Sequence, residues 1–182
     1  MGNDVLPLPQ PPLSEEMVLL GPWEECDAGI VLAAGLDRLI SRYRYSLPRT
    51  ADGAHAWIAA TRTDRLAGAR LELAIIARSV PAGSVSLTGF EHGNAMLRYW
   101  LLPQGRGGGL ATRAARLLVA WAFSTLRLRR LAALIEPDNE ASRAVLERCG
   151  FVQEGLLHRH MTGHDGDRVD TLIYGCRPDV RR

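Results

Sequence analysis

Gln104-Gly105-Arg106-Gly107-Gly108-Gly109 runs directly into Leu110, the first of a series of apolar residues at 110, 114, 117, 118, 121, 122 and 126. Those spacings draw one apolar stripe along a helix, with Arg113 and Arg116 on its other side. Ahead of the glycines, Ala95 to Leu102 is a strand candidate closed by Pro103. The order is therefore strand, glycine loop, helix. Four glycines within residues 105–109 let the backbone turn with its amides inward. A helix N-terminus adds partial positive charge, so the junction suits a pyrophosphate, and Arg106 adds a charge-assisted contact. A flexible glycine connector is the competing structural reading. A dinucleotide fingerprint needs G-x-G-x-x-G in a parallel unit, and a P-loop needs a lysine. All 22 basic residues are arginine, which removes the second option along with any Schiff-base lysine.

Working outward, Leu131 to Ile135 reads as a compact buried strand, and Asn139 or Asp138 caps a helix from Glu140 to Cys149 that Gly150 ends. Phe151 to Met161 and Val169 to Cys176 read as two closing strands about Gly163-His164-Asp165-Gly166. On the other side, Val85 to Phe90 joins Ala95 to Leu102 through Glu91-His92-Gly93-Asn94, a hairpin link. Leu71 to Ala77 is an earlier strand followed by the turn candidate Pro81-Ala82-Gly83. Thr50 or Asp52 caps a helix carrying Ala56, Trp57 and Ala60, and one helix opened by Glu24, Glu25 and Asp27 extends to Leu39. Met17 to Leu20 is a short strand. Residues 1–12, with Pro7, Pro9, Pro11 and Pro12, read as a Pro-rich flexible arm, and 13–182 as one domain. Helices on a mixed, mostly antiparallel sheet make the fold class α+β.

Composition narrows the function. The 182 residues are 47% hydrophobic and 23% charged, which suits one globular core. Their net charge of +2 leaves no whole-molecule field to hold nucleic acid or an anionic membrane. Charged residues interrupt every apolar run well short of the roughly 20 residues a membrane helix needs. Cys26, Cys149 and Cys176 form neither a disulfide framework nor a C-x-x-C site, so no metal is expected, and a reducing cytoplasm is the expected location.

Gln104, Gly107 and Gly109 fit the pattern Q/R-x-x-G-x-G/A, and here the sequence resembles the GNAT acetyltransferases. Tyr99-Trp100-Leu101, Leu110-Ala111-Thr112, Pro137-Asp138-Asn139, Ser142 and Gly150-Phe151 follow in that family's order. With Pro22-Trp23, Asp27 and Asp170 they look like the branch that contains the Rim-type ribosomal-protein N-terminal acetyltransferases, over about residues 13–178. The same branch contains acetyltransferases of amino acids, peptides and antibiotics. The resemblance implies a single domain in which two parallel strands, 95–102 and 131–135, splay into a V that receives the pantetheine of acetyl-CoA. It implies main-chain bonds to pantetheine from Trp100, Leu101 and Leu102. The amides of Arg106, Gly107, Gly108, Gly109 and Leu110 would hold the pyrophosphate, with Gln104 also binding the cofactor; Asn139 would bond pantetheine, and Ser142 would bond the cofactor or protonate its sulfur. The implied function is an acetyl-CoA-dependent N-acetyltransferase that uses a small-molecule acyl donor. Its acceptor is a protein or peptide N-terminal amine or a small amine such as a metabolite or antibiotic, which attacks the thioester directly. A catalytically inactive acyl-CoA-binding sensor or interaction module is the alternative. Some relatives pair through their C-terminal strands; Leu156, Leu172 and Ile173 suit either such a homodimer or a monomer core.

Acetyl transfer needs a base for the amine, stabilisation of the oxyanion and a donor for the departing sulfur. Many GNAT enzymes place a tyrosine on the helix that begins near Asn139, where this chain carries Leu146. Ser142 is the replacement expected from the resemblance, although Asn139 with Ser142 is also an ordinary capping pair. For the base, His158 and His160 alternate along a strand and so share a face, with His160 the first candidate. Solvent-facing strand histidines are the structural alternative. Glu91 and His92 in the hairpin link, and Glu136 at the strand end, are further candidates, while Met96 stands where relatives often carry Glu. Arg42, Arg44 and Arg49 near Tyr45 either read a carboxylate-bearing acceptor or form a solvated basic face. Trp23 and Tyr43 are expected on the acceptor side, Trp57, Trp121 and Phe123 in the core, and Cys149 buried at a helix end.

Overall fold

The computed structural model describes residues 5–43 and 46–178. Eight strands form one sheet in the order β1-β2-β3-β4-β5-β6-β8-β7. They are β1 (Leu13–Glu15), β2 (Val18–Gly21), β3 (Arg70–Ala77), β4 (Val80–Glu91), β5 (Asn94–Leu101), β6 (Arg130–Ile135), β7 (Val152–Thr162) and β8 (Arg168–Cys176). Five helices, α1 (Ala28–Leu36), α2 (Arg38–Arg42), α3 (Ala51–Leu66), α4 (Leu110–Ser124) and α5 (Glu140–Arg148), cover its two faces. The β5–β6 pair is parallel and its neighbours are antiparallel.

Alternation along the strands divides the core in two. Leu71, Leu73 and Ile75 of β3 join Leu97, Leu118 of α4 and Leu146 of α5 on one face. On the other face, Ala74 and Trp100 pack with Trp23, Val31, Ala34, Ala54 and Ile58 beneath α1 and α3. Trp23 stacks on Trp100 with centroids 5.8 Å apart and meets Trp57 edge-on at 5.6 Å. The stripe read from sequence is the buried side of α4, including Leu110, Ala114, Leu118, Trp121 and Ala122.

Several local expectations are corrected. Pro81-Ala82-Gly83 is not a turn: it lies inside β4, and the chain reverses at Arg78-Ser79, whose φ values are 52° and 64°. Pro81 is tolerated there because a β-bulge interrupts the ladder beside it, between Ile75 and Ile76. The helix expected to reach Leu39 breaks at Asp37, which has extended backbone and accepts from the Ile40 amide at 2.9 Å, so α2 begins afresh. The described part of the proline arm is docked, not frayed. Leu6 is buried and exchanges bonds with Arg65, its amide donating to the Arg65 carbonyl at 3.0 Å and its carbonyl accepting from the guanidinium at 2.7 Å.

Under α3 lies a buried carboxyl that no sequence pattern announced. Glu72 is 7% exposed, accepts a bond from Ser84, and lies 3.6 Å from Arg70. Burial is the largest influence on it and pushes its carboxyl up; the Ser84 and Ser86 bonds and the Arg70 and Arg98 charges pull the other way. An acid raised in the folded state stabilises the fold while protonated and loses that contribution as pH rises through the folded value. Glu72→Gln removes this titration. Thermal unfolding between about pH 4 and pH 8 should therefore show the variant gaining on the wild type as pH rises. A gap moving the other way would mean that Arg70 keeps Glu72 ionised.

Candidate functional site

The pairing of β5 with β6 lasts for three residue pairs, Asn94↔Arg130, Ala95↔Leu131 and Met96↔Ala132, and then the strands part. A cleft of about 600 Å³ occupies the opening. Its walls are β5 from Met96 to Leu101, the end of β6 with Glu136, the first turn of α4 and one side of α5. Main-chain direction in β5 selects which groups point into it. The Leu102 amide donates to the Ala82 carbonyl at 2.9 Å, toward β4, whereas the Gly93 carbonyl accepts from Arg129 at 2.6 Å, toward β6. Successive residues alternate, so Tyr99 and Leu101 direct their main-chain groups toward the opening and Trp100 directs its own toward β4. The expectation for Trp100 and Leu102 is corrected accordingly. Both polar groups of Leu102 are engaged, since its carbonyl accepts from the Gly105 amide at 2.9 Å. Leu101 directs its main chain into the opening, and so does Tyr99, which the sequence reading did not place among the cofactor-binding residues.

At the mouth, Gly107 and Gly109 have φ values of 81° and 74°, which side-chain-bearing residues adopt at a cost. These two conformations fold the loop onto the N-terminus of α4, whose cap is Gly109 itself. Gly107, Gly109 and Leu110 line the cleft with Arg106, while Gln104 and Gly108 are exposed outside its lining. Arg106 is already fixed: Nε donates to the Leu101 carbonyl at 3.0 Å, and the guanidinium meets Asp37 at 2.7 Å. Asp37 is held below the usual carboxylate range by bonds from Ile40 and Arg106 that outweigh its burial. Arg106 thus ties the glycine loop to α2. The far end of α2 is tied as well, because Arg42 pairs with Asp138, so the arginine offered as a carboxylate reader is already occupied. Arg44 and Tyr45 lie outside the described residues.

Asn139 caps α5, its side chain accepting from the Ser142 amide at 3.1 Å, and both residues line the cleft. The Tyr99 hydroxyl donates to the Ser142 carbonyl at 3.0 Å and so links β5 to the first turn of α5 across the opening. Leu146 is fully buried in the core.

The base candidates separate by position. Glu91 pairs with Asn94 at the tip of the β4–β5 hairpin, at the start of β5, and its carboxylate faces His92 at 3.5 Å. Seven residues of extended strand put that tip about 20 Å from the glycine loop. His160 is exposed and outside the cleft lining, where its neighbour Met161 stands instead. A register shift between Leu157 and Met161, with Arg159 at φ 47°, interrupts the alternation that was expected to place His158 and His160 on one face. Asp170 braces this irregularity. It accepts from the Arg159 amide at 2.8 Å, which with His158 at 3.3 Å holds its carboxyl below the usual range. Glu136 is the carboxylate inside the cleft. It also lines an adjoining pocket of about 430 Å³ bordered by Arg42, Asp138, His164 and Asp165. Cys149 donates to the Thr112 carbonyl, and burial pushes its thiol up to about 11, which leaves little thiolate for nucleophilic chemistry. No cluster of metal-binding side chains occurs among the described residues, and no helix among them is long and apolar enough to cross a membrane.

The described architecture has relatives. Residues 18–152 match the family model described as an acetyltransferase (GNAT) domain. A putative ribosomal N-acetyltransferase, YdaF of Bacillus subtilis, is 41% identical over 75 residues, covering 40% of this chain and 41% of its own. The spermidine N(1)-acetyltransferase of Escherichia coli is 34% identical over 80 residues, covering 42% of this chain and 43% of its own. The chain thus spans less than half the length of these curated relatives. The structure of Mycobacterium smegmatis RimJ in complex with CoA-disulfide superposes with a TM-score of 0.80 at 25% identity, over 91% of this chain and 84% of that one. The microcin C7 self-immunity acetyltransferase MccE, in complex with acetyl-CoA and AMP, gives 0.81 at 23% identity, over 90% and 93% of the two chains, a likeness of fold. Because the family match takes in most of the sequence, and both the parted strands and the glycine loop fall within it, the chain belongs to the GNAT acetyltransferase family.

Proposed function

We propose that the protein is an acetyl-CoA-dependent N-acetyltransferase in which an acceptor amine attacks the thioester directly. The observation that carries this reading is the parting of β5 from β6 after three paired residues, with a glycine loop in left-handed conformation at the mouth. Gly107, Gly109 and Leu110, which line the mouth at the N-terminus of α4, offer backbone amides for the pyrophosphate, and the main chain of Tyr99 with the Leu101 amide suits the pantetheine amides. Such donors need no lysine. The relatives, named as a putative ribosomal N-acetyltransferase and a spermidine N(1)-acetyltransferase, support the same chemistry.

In the reaction, nitrogen bonds to the acyl carbon, the carbon–sulfur bond breaks, and the proton lost by nitrogen passes to Glu136. The departing thiolate accepts a hydrogen bond from Ser142, which Asn139 and Tyr99 hold at the start of α5. Calorimetric titration with acetyl-CoA, with ATP and NAD as controls, tests the donor site; binding of either control as tightly as acetyl-CoA would overturn it. Ser142→Ala should lower kcat by about 100-fold, the scale of a lost oxyanion-type donor, and leave acetyl-CoA affinity near the wild-type value. An unchanged kcat would remove Ser142 from the reaction.

A further inference from the structure

One row of paired residues crosses the sheet face that carries α1 to α3. Glu72 of β3 pairs with Ser86 of β4, and Ser86 pairs with Arg98 of β5. Paired residues share a face, so the row leads from a buried carboxyl to a guanidinium. The two ends interact, since the charge of Arg98 is felt at Glu72. Arg98 itself is exposed and lines the cleft.

The last β5–β6 pair is Met96↔Ala132. Arg98 is therefore the first side chain on this face beyond the point where the strands open. Alternation on the opposite wall puts Leu134 on the same face as Ala132, and Glu136, one residue past the end of β6, lines the same cleft. A cation and a carboxylate thus stand on facing walls of one opening. The remaining lining toward α2 is apolar, supplied by Leu39, Ile40, Tyr43, Met96 and Met161.

This arrangement discriminates among amines. A polyamine would bring a second positive charge toward Arg98. A peptide N-terminus carries a neutral amide at the carbon next to its amine and gains no charge pairing there. A free α-amino acid presents an ammonium and a carboxylate on one carbon, and the planar fork of a guanidinium matches a carboxylate in a bidentate manner. We infer that the acceptor is an α-amino acid with an apolar side chain, its amine directed to Glu136, its carboxylate to Arg98 and its side chain to the apolar wall beside α2. The inference rests on the acetyl-transfer reading above and names its substrate class.

The test uses the full chain at saturating acetyl-CoA and follows release of the CoA thiol. The acceptors are L-leucine, L-phenylalanine, their carboxamides, a leucine-initiated tripeptide and spermidine. The wild type should favour each free acid over its amide by about 10- to 100-fold in kcat/KM, the range of a hydrogen bond to a charged group. Arg98→Met should collapse that ratio toward one, and Arg98→Lys should restore part of it. Calorimetry on each variant reports whether the donor site is intact. Equal use of acids and amides, a ratio that survives in Arg98→Met, or faster turnover of spermidine or the tripeptide would each overturn the inference. If acetyl-CoA binds and no amino acid is acetylated, the acceptor class is wrong and the donor reading stands. If the wild type does not bind acetyl-CoA, both fall.

Discussion

Glu136→Gln is expected to lower kcat by about 100- to 10,000-fold near neutral pH, the range that general base catalysis supplies, with acetyl-CoA affinity little changed. The substitution keeps the size of the side chain and removes its ability to take a proton. The argument rests on place: among the carboxylates proposed from sequence, Glu136 lines the cleft, where β6 ends, and it faces the adjoining pocket as well. A pH profile separates this role from mere positioning. A peptide N-terminal amine loses its own proton at about pH 8, and the ammonium of a free amino acid, held by its adjacent carboxylate, at higher pH, so the deficit of the variant should shrink as pH rises past the acceptor's own value. A deficit that stays constant across pH would show that Glu136 orients the acceptor and that the proton leaves by another route.

The parts of the site that were legible in sequence are those whose chemistry is local. The glycine loop, the stripe of α4 and the Asn139 cap each depend on residues within a turn or two of one another, and each is found where its spacing puts it. The placement of the base candidates was obscure because it depends on strand direction and on where two strands separate. Glu91 is near β5 in sequence, yet β5 runs from the hairpin toward the loop, which carries Glu91 to the wrong end of the sheet. That consequence follows from the strand order loop–strand–loop and was available without a structure. Other errors had no sequence signal. The Arg78-Ser79 reversal uses two non-glycine residues in left-handed conformation, while the proline and glycine that advertise a turn lie within β4. Leu6 docks through Arg65, 59 residues away, and proline content says nothing about such a partner. Tyr99 became visible only through the alternation of the strand that carries it.

Gly83→Ala should be strongly disruptive, and its effect should reach the cofactor. Gly83 pairs with Leu101, the last residue of β5, so it supports the wall of the cleft from behind. A Cβ there would press into the Trp100 carbonyl oxygen and stand 2.6 Å from Leu101 Cδ2 and 3.0 Å from Leu101 Cα. Two of these three neighbours are backbone, which cannot rotate away, so β4 and β5 must move apart. Overpacking of this kind costs about 3 kcal/mol, or about 6–12 °C in Tm for a domain of this size. Gly29→Ala is the control, since that position lies in α1 with no atom within 4 Å of the added carbon. It should raise stability by up to about 1 kcal/mol through helix propensity alone. The displaced strand in Gly83→Ala carries the Leu101 main chain and the carbonyl that anchors Arg106. Acetyl-CoA affinity, measured well below the variant's Tm, should therefore fall together with stability. If Tm drops while acetyl-CoA binds as in the wild type, the end of β5 is not part of the donor site, and the main-chain role proposed for Leu101 fails with it.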